Sequence, residues 1–106
     1  SVDRGDLIWI NFNPQAGHEQ AGRRSAIVLS PKAFNETTGF VSVCPITHTV
    51  RGWGYEVLLP DGLVFNGVIL TDQIKNLDWR ARRMDVVGKA PDEVINECLD
   101  KIHTFL

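Results

Sequence analysis

Cysteine, histidine and long apolar runs are all scarce in this chain of 106 residues, and each scarcity excludes a class of protein. The two cysteines, Cys44 and Cys98, stand among apolar residues, which favours buried reduced thiols over a disulfide. The three histidines show no ligand spacing with either cysteine, so we expect no metal site and no cofactor. No run approaches the ~20 apolar residues that cross a bilayer, and the first residues lack the apolar core of a secretory signal. We therefore expect a cytoplasmic protein with no membrane association.

A basic excess is also missing, because the formal net charge is −2. Nucleic-acid-binding proteins usually carry a basic face, so the total charge alone argues against such a partner. The acidity is concentrated in residues 91–106, where four acidic residues and one basic residue give −3 and leave +1 for the rest of the chain. A modest RNA-binding face is therefore allowed, though not required, by the remaining basic residues, which are Arg23, Arg24, Lys75, Arg80, Arg82 and Arg83 among others.

Short runs of β-branched and aromatic residues between turn residues predict several strands, and the length suits one core and one domain over residues 1–106. After Pro91 the apolar residues take helical spacing, with Asp92 and Glu93 placed to favour the helix dipole. The sequence predicts an open antiparallel barrel with a short helix after strand 2 and a C-terminal amphipathic helix. The predicted strands cover residues 6–12, 25–30, 40–46, 55–59, 68–74 and 84–87, with a helical turn at 31–36 and a polar link from residue 74 to Trp79.

Polar groups stand at the ends of two predicted strands. Residues 17–31 set a flexible loop that contains Glu19 and Arg24 directly before a buried apolar run, and Thr47 follows the next strand. Functional groups commonly lie on loops that a rigid scaffold holds in place. These positions are therefore the candidate site, although Glu19 and Arg24 could equally form an exposed ion pair worth less than ~1 kcal/mol.

Four motifs in this sequence resemble the MazF/PemK (Kid) toxins of bacterial toxin–antitoxin pairs. They are Arg4-Gly5-Asp6, the GxEQxG core of residues 17–31, Pro45-Ile46-Thr47 and Asp72-Gln73-Ile74. The resemblance spans nearly the whole chain and implies an SH3-like barrel of the CcdB/PemK type that forms a homodimer. It further implies a metal-independent ribonuclease that cuts single-stranded RNA at a short sequence, and an antitoxin partner whose acidic, flexible tail fills the RNA groove.

The resemblance implies three catalytic residues: Arg24, Thr47 and Glu19. Cleaving RNA through its own 2′-hydroxyl needs a base for that proton, an acid for the departing 5′-oxygen and donors to the charged phosphorane. We assign phosphate binding to Arg24, a hydroxyl donor role to Thr47 and the general-base role to Glu19. The family's RNA-contacting positions fall on Gln20, Arg23, His48, Thr49, Gln73 and Lys75, whose polar groups could read an unstacked strand.

Each candidate also has an ordinary structural interpretation. Thr47 could simply end a strand, and a lone histidine such as His48 is more often a surface residue than a proton carrier. The aromatic rings of Trp9 and Phe12 could stack on a base, yet a core position is the stronger expectation for both, and Trp53 is the better stacking candidate. The cluster Arg80, Arg82 and Arg83 suits a solvated face or a subunit contact, and Asp72 suits a hydrogen-bonded group at a dimer interface.

One position departs from the family pattern. The family usually has proline after the loop arginine, where this chain has Ser25. Proline would stiffen the backbone beside Arg24, so we expect a looser loop and altered affinity or sequence preference rather than lost cleavage.

Two other functions compete with the ribonuclease. One is a gyrase-poisoning toxin of the CcdB branch, and the other is a non-catalytic module that binds nucleic acid or peptide. Placing 2′-deoxyribose at the scissile position separates them, because only the ribonuclease should lose cleavage while it keeps binding.

Overall fold

The computed structural model describes residues 1–12 and 22–106, so two predicted site residues, Glu19 and Gln20, lie outside the described residues. The elements in these ranges are β1 (Asp6–Asn11), β2 (Arg23–Val28), α1 (Lys32–Thr38), β3 (Phe40–Thr47), β4 (Glu56–Leu58), β5 (Val68–Leu70), β6 (Lys75–Asp78), β7 (Asp85–Lys89) and α2 (Asp92–Ile102). Short 3₁₀ turns at Thr71–Gln73 and Trp79–Ala81 flank β6. The predicted mostly β fold, with a short helix after the second strand and a C-terminal helix, is confirmed.

The strands form one antiparallel sheet whose neighbours follow the order β4, β5, β3, β2, β1, β7. Strand β3 is shared between two partners on one side: residues 40–43 pair with β6, and residues 46 and 47 pair with β5. In the part of the chain that the structure describes, the two end strands, β4 and β7, do not pair with each other, so the sheet is open. The start of β2 and the end of β3 lie close to the turn between β5 and β6, because Arg24, Thr47 and Gln73 line one cavity.

The sheet buries apolar side chains on both faces. Successive side chains of a strand point to opposite faces, so one strand contributes to both clusters. On β1, Leu7 belongs to one buried cluster, whereas Ile8 and Ile10 belong to the other. Helix α2 covers the Leu7 cluster with its apolar face, as the helical spacing predicts. The buried residues on that face are Val94, Ile95, Cys98 and Ile102.

Both cysteines are free and buried, which confirms the prediction of reduced thiols. Burial raises the pKa of Cys98 to about 12 and raises the pKa of Cys44 well above its ordinary range. A thiol whose pKa lies far above neutrality carries almost no thiolate, and thiolate is the reactive form. The two side chains therefore act as small apolar groups of the core.

The region after residue 68 differs from the prediction. The predicted strand at 68–74 stops at Leu70 and gives way to a 3₁₀ turn, and the predicted polar link contains strand β6. The reason is that β6, as far as the described residues show, pairs only with β3, and Leu77 is its one buried residue. A strand with a single buried residue shows no alternation that a sequence could reveal.

Candidate active site

Arg24 and Thr47 lie on the same face of the sheet. Ala26 pairs with Pro45 in the antiparallel register of β2 and β3, so Arg24 comes opposite Thr47 two residues further toward the strand ends. Paired residues of neighbouring strands share a face. Both side chains accordingly line one cavity of about 230 Å³, whose other walls are Thr49, Arg51, Leu70 and Gln73. This cavity, called the Arg24 cavity below, gathers the strand-end residues that the sequence indicated.

The ring of Phe12 makes cation–π contacts with two basic side chains beside this cavity. The Arg24 guanidinium carbon lies 5.6 Å from the centroid of the Phe12 ring, and the Lys75 ammonium lies 5.7 Å from it. The Phe12 carbonyl accepts a hydrogen bond of 2.8 Å from the guanidinium of Arg82, which fixes the end of β1. Each cation–π contact stabilises by about 0.5–1 kcal/mol at an exposed site. Two positive charges are therefore held together at one edge of the sheet, as an anion such as phosphate requires.

The hydroxyl of Thr47 is oriented by its own chain. Its oxygen accepts a hydrogen bond of 3.2 Å from the backbone N–H of Thr49. This bond uses a lone pair of the oxygen and leaves the hydroxyl proton for donation. Thr47 can thus donate to a non-bridging phosphate oxygen in the Arg24 cavity.

Arg23 points away from Arg24, because consecutive strand residues face opposite sides of a sheet. Its guanidinium forms an ion pair with Asp85 and donates a hydrogen bond of 2.6 Å to the Arg83 carbonyl. The predicted RNA-binding set is therefore divided in space. Thr49 and Gln73 line the Arg24 cavity, Lys75 lies on Phe12, and Arg23 braces β2 against the segment before β7.

A second cavity of about 230 Å³ lies next to the first and shares Thr47 with it. It is lined by Trp9, Ser25, Ile46, Thr47, His48, Val64, Phe65 and Asn66. Trp9 is 39% exposed and contacts Phe65 edge to face, with the ring centroids 5.3 Å apart. The expectation that Trp9 is a core residue is therefore wrong, because its β1 position faces this uncovered cavity.

Ser25, where the resemblance implies a proline, also belongs to the second cavity. Its hydroxyl donates a hydrogen bond of 3.3 Å to the Ile46 carbonyl across β2 and β3. The Ser25 side chain thus ties the backbone beside Arg24 to β3.

The arginines after Trp79 are used separately. The Arg80 guanidinium lies 5.1 Å from the Trp79 ring centroid and donates to the Glu36 carbonyl at 3.1 Å. Arg82 instead donates to the carbonyls of Asn11 and Phe12. The basic cluster is therefore no simple solvated face, since Arg80 supports α1 and Arg82 supports β1.

Metal-binding clusters and membrane-spanning helices are both absent from the described residues. Among the described residues, no group of three or more His, Cys, Asp and Glu side chains could hold a metal ion. None of the helices in those same ranges is long and apolar enough to span a membrane.

Comparison with known proteins decides the family. The model of PemK-like, MazF-like toxins of type II toxin–antitoxin systems matches residues 3–106. The chain belongs to this family. Its relatives include the endoribonuclease toxin MazF of Escherichia coli (strain K12), 46% identical over 104 residues that cover 98% of this chain and 93% of the relative.

Solved structures of MazF proteins have the same fold. MazF from Deinococcus radiodurans is 48% identical, with a TM-score of 0.87 over 97% of this chain and 94% of that chain. A MazE–MazF complex from the same organism is 41% identical, with a TM-score of 0.86 over 97% of this chain and 92% of that chain. The MazF-like fold therefore extends over almost the full described chain.

The sequence did not predict two residues at or behind the Arg24 cavity. Arg51 lines the Arg24 cavity, and the buried carboxylate of Glu56 accepts hydrogen bonds from backbone N–H groups of the segment that carries Arg51. The isolated arginine of a loop and the first residue of a short strand carry no pattern that marks a site. The turn former Gly52, next to Arg51, signals no more than the start of a loop.

Proposed function

We propose that this chain is an endoribonuclease toxin that cleaves single-stranded RNA in the Arg24 cavity and so inhibits translation. The activity class follows from the family and from relatives that are endoribonucleases. The observation that carries the assignment of the site is the shared cavity of Arg24 and Thr47, beside which Phe12 holds two cations. A guanidinium, a hydroxyl donor and an ammonium at one sheet edge suit the binding of an RNA phosphate.

The chemistry we propose is attack of the substrate's own 2′-hydroxyl on the adjacent phosphorus. The 2′-oxygen forms a bond to phosphorus, the bond to the 5′-oxygen breaks, and the products carry a 2′,3′-cyclic phosphate and a 5′-hydroxyl. Arg24 stabilises the negative charge of the phosphorane, and Thr47 donates to a non-bridging oxygen. Glu19 takes the 2′-hydroxyl proton, and solvent water donates a proton to the departing 5′-oxygen. No step requires a metal ion, because the nucleophile belongs to the substrate.

RNA binding extends beyond the reacting phosphate. Thr49 and Gln73 line the Arg24 cavity, and His48 lines the neighbouring one, so amide, hydroxyl and imidazole groups surround the scissile position. Unstacked bases of a single strand present hydrogen-bonding edges to such groups. We assign base recognition to these three residues together with Gln20, and a phosphate contact to Lys75. Arg23, predicted from the resemblance to bind RNA, instead braces β2 on the opposite face through Asp85 and the Arg83 carbonyl.

The proposed partners are a cognate antitoxin with an acidic, flexible tail and a second copy of this chain. The MazF of D. radiodurans forms a complex with MazE, which supports an antitoxin partner for this relative of it. A negatively charged tail suits the cations gathered on Phe12. An open apolar cavity of about 320 Å³, whose walls include Leu29, Phe34 and Leu99, supports self-association. We expect the homodimer to act in the cytoplasm.

The test is to incubate the purified chain with a long single-stranded RNA in the presence of EDTA and to map the new ends by primer extension. Discrete cuts at one recurring short sequence are expected, and Arg24→Ala should reduce their rate by about a hundredfold or more. Arg80→Ala is the matched control, because it removes an exposed guanidinium that stacks on Trp79. Intact RNA with the folded wild type would overturn the proposal in favour of a gyrase-directed or non-catalytic protein.

A further inference from the structure

The segment between β3 and β4 is organised around a buried acid that the proposed chemistry does not use. Glu56 is 9% exposed and lies at the start of β4. Its Oε1 accepts hydrogen bonds from the backbone N–H groups of Arg51, Gly52 and Trp53 at 3.2, 2.9 and 3.3 Å. Its Oε2 accepts from Arg51 N–H at 3.2 Å. Three consecutive amides thus converge on one carboxylate, the arrangement by which a turn of backbone encloses an anion.

The same segment is anchored on its far side. The carbonyl of Gly54 accepts a hydrogen bond from the Lys101 ammonium of α2, and the carbonyl of Tyr55 accepts from the Thr71 hydroxyl. Tyr55 also contacts Phe105 edge to face, with the ring centroids 5.7 Å apart. Residues 51–55 are therefore held from two directions, which fixes the backbone from which the side chain of Arg51 extends.

The geometry of this segment bears on the Arg24 cavity. Arg51 lines that cavity together with Arg24, yet the contacts of Glu56 use the backbone of Arg51 and not its side chain. The carboxylate therefore positions Arg51 without forming an ion pair with its guanidinium. Gly52 adopts a left-handed backbone conformation with φ of +76°, which turns the chain back toward Glu56.

We propose that Glu56 is a positioning residue that holds residues 51–53 so that Arg51 brings a second guanidinium to the Arg24 cavity, where it binds an RNA phosphate next to the scissile one. The inference rests on the proposed ribonuclease function and adds a phosphate subsite to it. Arg24 serves the reacting phosphate, and Arg51 serves the neighbouring one. Glu56 never touches the substrate and acts through the backbone of its loop.

The first measurement is binding of a labelled RNA that carries the mapped cleavage sequence with 2′-deoxyribose at the scissile position. Arg51→Ala should weaken binding about tenfold. The logarithm of its association constant should fall less steeply with the logarithm of salt concentration, by about 0.7 in slope, the value for one lost phosphate contact on a single strand. Arg51→Lys, which keeps the charge, should keep the wild-type slope. In cleavage assays KM should rise for Arg51→Ala while kcat changes little, because the contact is made before and during the reaction alike.

The role of Glu56 is tested by comparison with Arg51. Glu56→Ala should reproduce the weaker binding and the smaller salt slope, and the double variant with Arg51→Ala should bind no more weakly than Arg51→Ala alone. Glu56→Gln retains one acceptor oxygen and should retain most of the affinity. Glu36→Gln, an exposed acid at the end of α1, is the matched control and should bind like the wild type.

Two outcomes would overturn the inference without touching the proposed function: wild-type binding and salt slope in Arg51→Ala, or fully additive losses from Arg51→Ala and Glu56→Ala. Hydrogen exchange of the wild type tests the hydrogen bonds from residues 51–53 to Glu56, here called the Glu56 clamp, without any variant. The inference can therefore be tested even if a variant fails to fold. The amides of residues 51–53 should exchange as slowly as those of β4, and exchange at the rate of an open loop would refute the clamp. A wild type that neither binds nor cuts RNA would instead remove the proposed function itself.

Discussion

The guanidinium of Arg24 lies over the ring of Phe12, 5.6 Å from its centroid. A long exposed side chain has many rotamers, and ordering it for catalysis costs conformational entropy. The aromatic face reduces this cost before substrate arrives, and it does the same for Lys75. The position of the candidate catalytic arginine thus depends on an apolar ring as well as on its strand.

Replacing that ring should slow cleavage without unfolding the protein. Phe12→Leu keeps a half-buried apolar side chain but removes the π face, so kcat/KM should fall roughly fivefold, as expected when about 1 kcal/mol of cation–π stabilisation is lost. Phe12→Tyr keeps the ring and should stay near wild type. Steady-state cleavage of a short RNA measures both, and equal rates for all three proteins would show that the ring does not order Arg24.

Gly67 should tolerate no side chain, because it touches the end of β3. Its φ is +104°, and an added Cβ would lie 2.1 Å from the carbonyl oxygen of Thr47. Gly67→Ala should therefore lower the free energy of unfolding by roughly 2–4 kcal/mol and displace Thr47 from the Arg24 cavity. Urea unfolding and RNA cleavage measure the two effects.

Gly54→Ala is the control for this glycine substitution, since a Cβ there meets no atom within 4 Å and its φ is not positive. It should leave both stability and cleavage nearly unchanged. If Gly67→Ala behaved in the same way, the close approach of these two backbones would have no role.

Asn35 should be the most sensitive polar residue of the core. It is fully buried, its amide donates to the carbonyls of Val2 and Ser30 at 3.1 and 3.0 Å, and its oxygen accepts from the Ser30 hydroxyl. Asn35→Ala leaves these groups without their partner, so the free energy of unfolding should fall by roughly 2–4 kcal/mol. The exposed Asn96→Ala is the control, and urea unfolding that gave both variants wild-type stability would contradict the network's importance.

The buried thiols predict a decline of stability at high pH. The pKa of Cys98 in the folded protein is about 12, above the ordinary value of 9.0, so the folded state holds this proton more tightly than the unfolded state. The contribution is therefore complete below pH 9 and is lost as pH rises from there toward 12. Urea unfolding under reducing conditions at several pH values should show a steeper decline for wild type than for Cys98→Ala. Equal declines would mean that Cys98 does not titrate with unfolding.

The sequence predicted most of the fold and only part of the site, for identifiable reasons. Strands β1, β2 and β3 were predicted because apolar residues dominate them, and α2 because its apolar face repeats with helical period. Strand β6 was missed because, among the described residues, it pairs only with β3 and its side chains Lys75 and Asn76 are exposed. An edge strand needs no apolar alternation, so its sequence resembles a loop.

For the candidate site, the motif resemblance indicated Arg24 and Thr47, and the strand register places both on one face. Arg51 and Glu56 were not found, because their relation depends on backbone amides that carry no sequence signal. A buried glutamate usually needs a cationic partner, but three N–H groups of a turn satisfy this one. Such a site becomes visible only when the path of the backbone is known.

Thr47 lines both cavities, and this sharing limits how a toxin of this kind can diversify. A substitution of Thr47 that changed base preference on the Trp9 side would also change the hydroxyl that we propose donates to the reacting phosphate. Mutations that retarget the enzyme would therefore arise more easily at Ser25, Val64 or Asn66, which line one cavity only. Natural toxins of this family that cut different RNA sequences should therefore differ at those positions and keep Thr47.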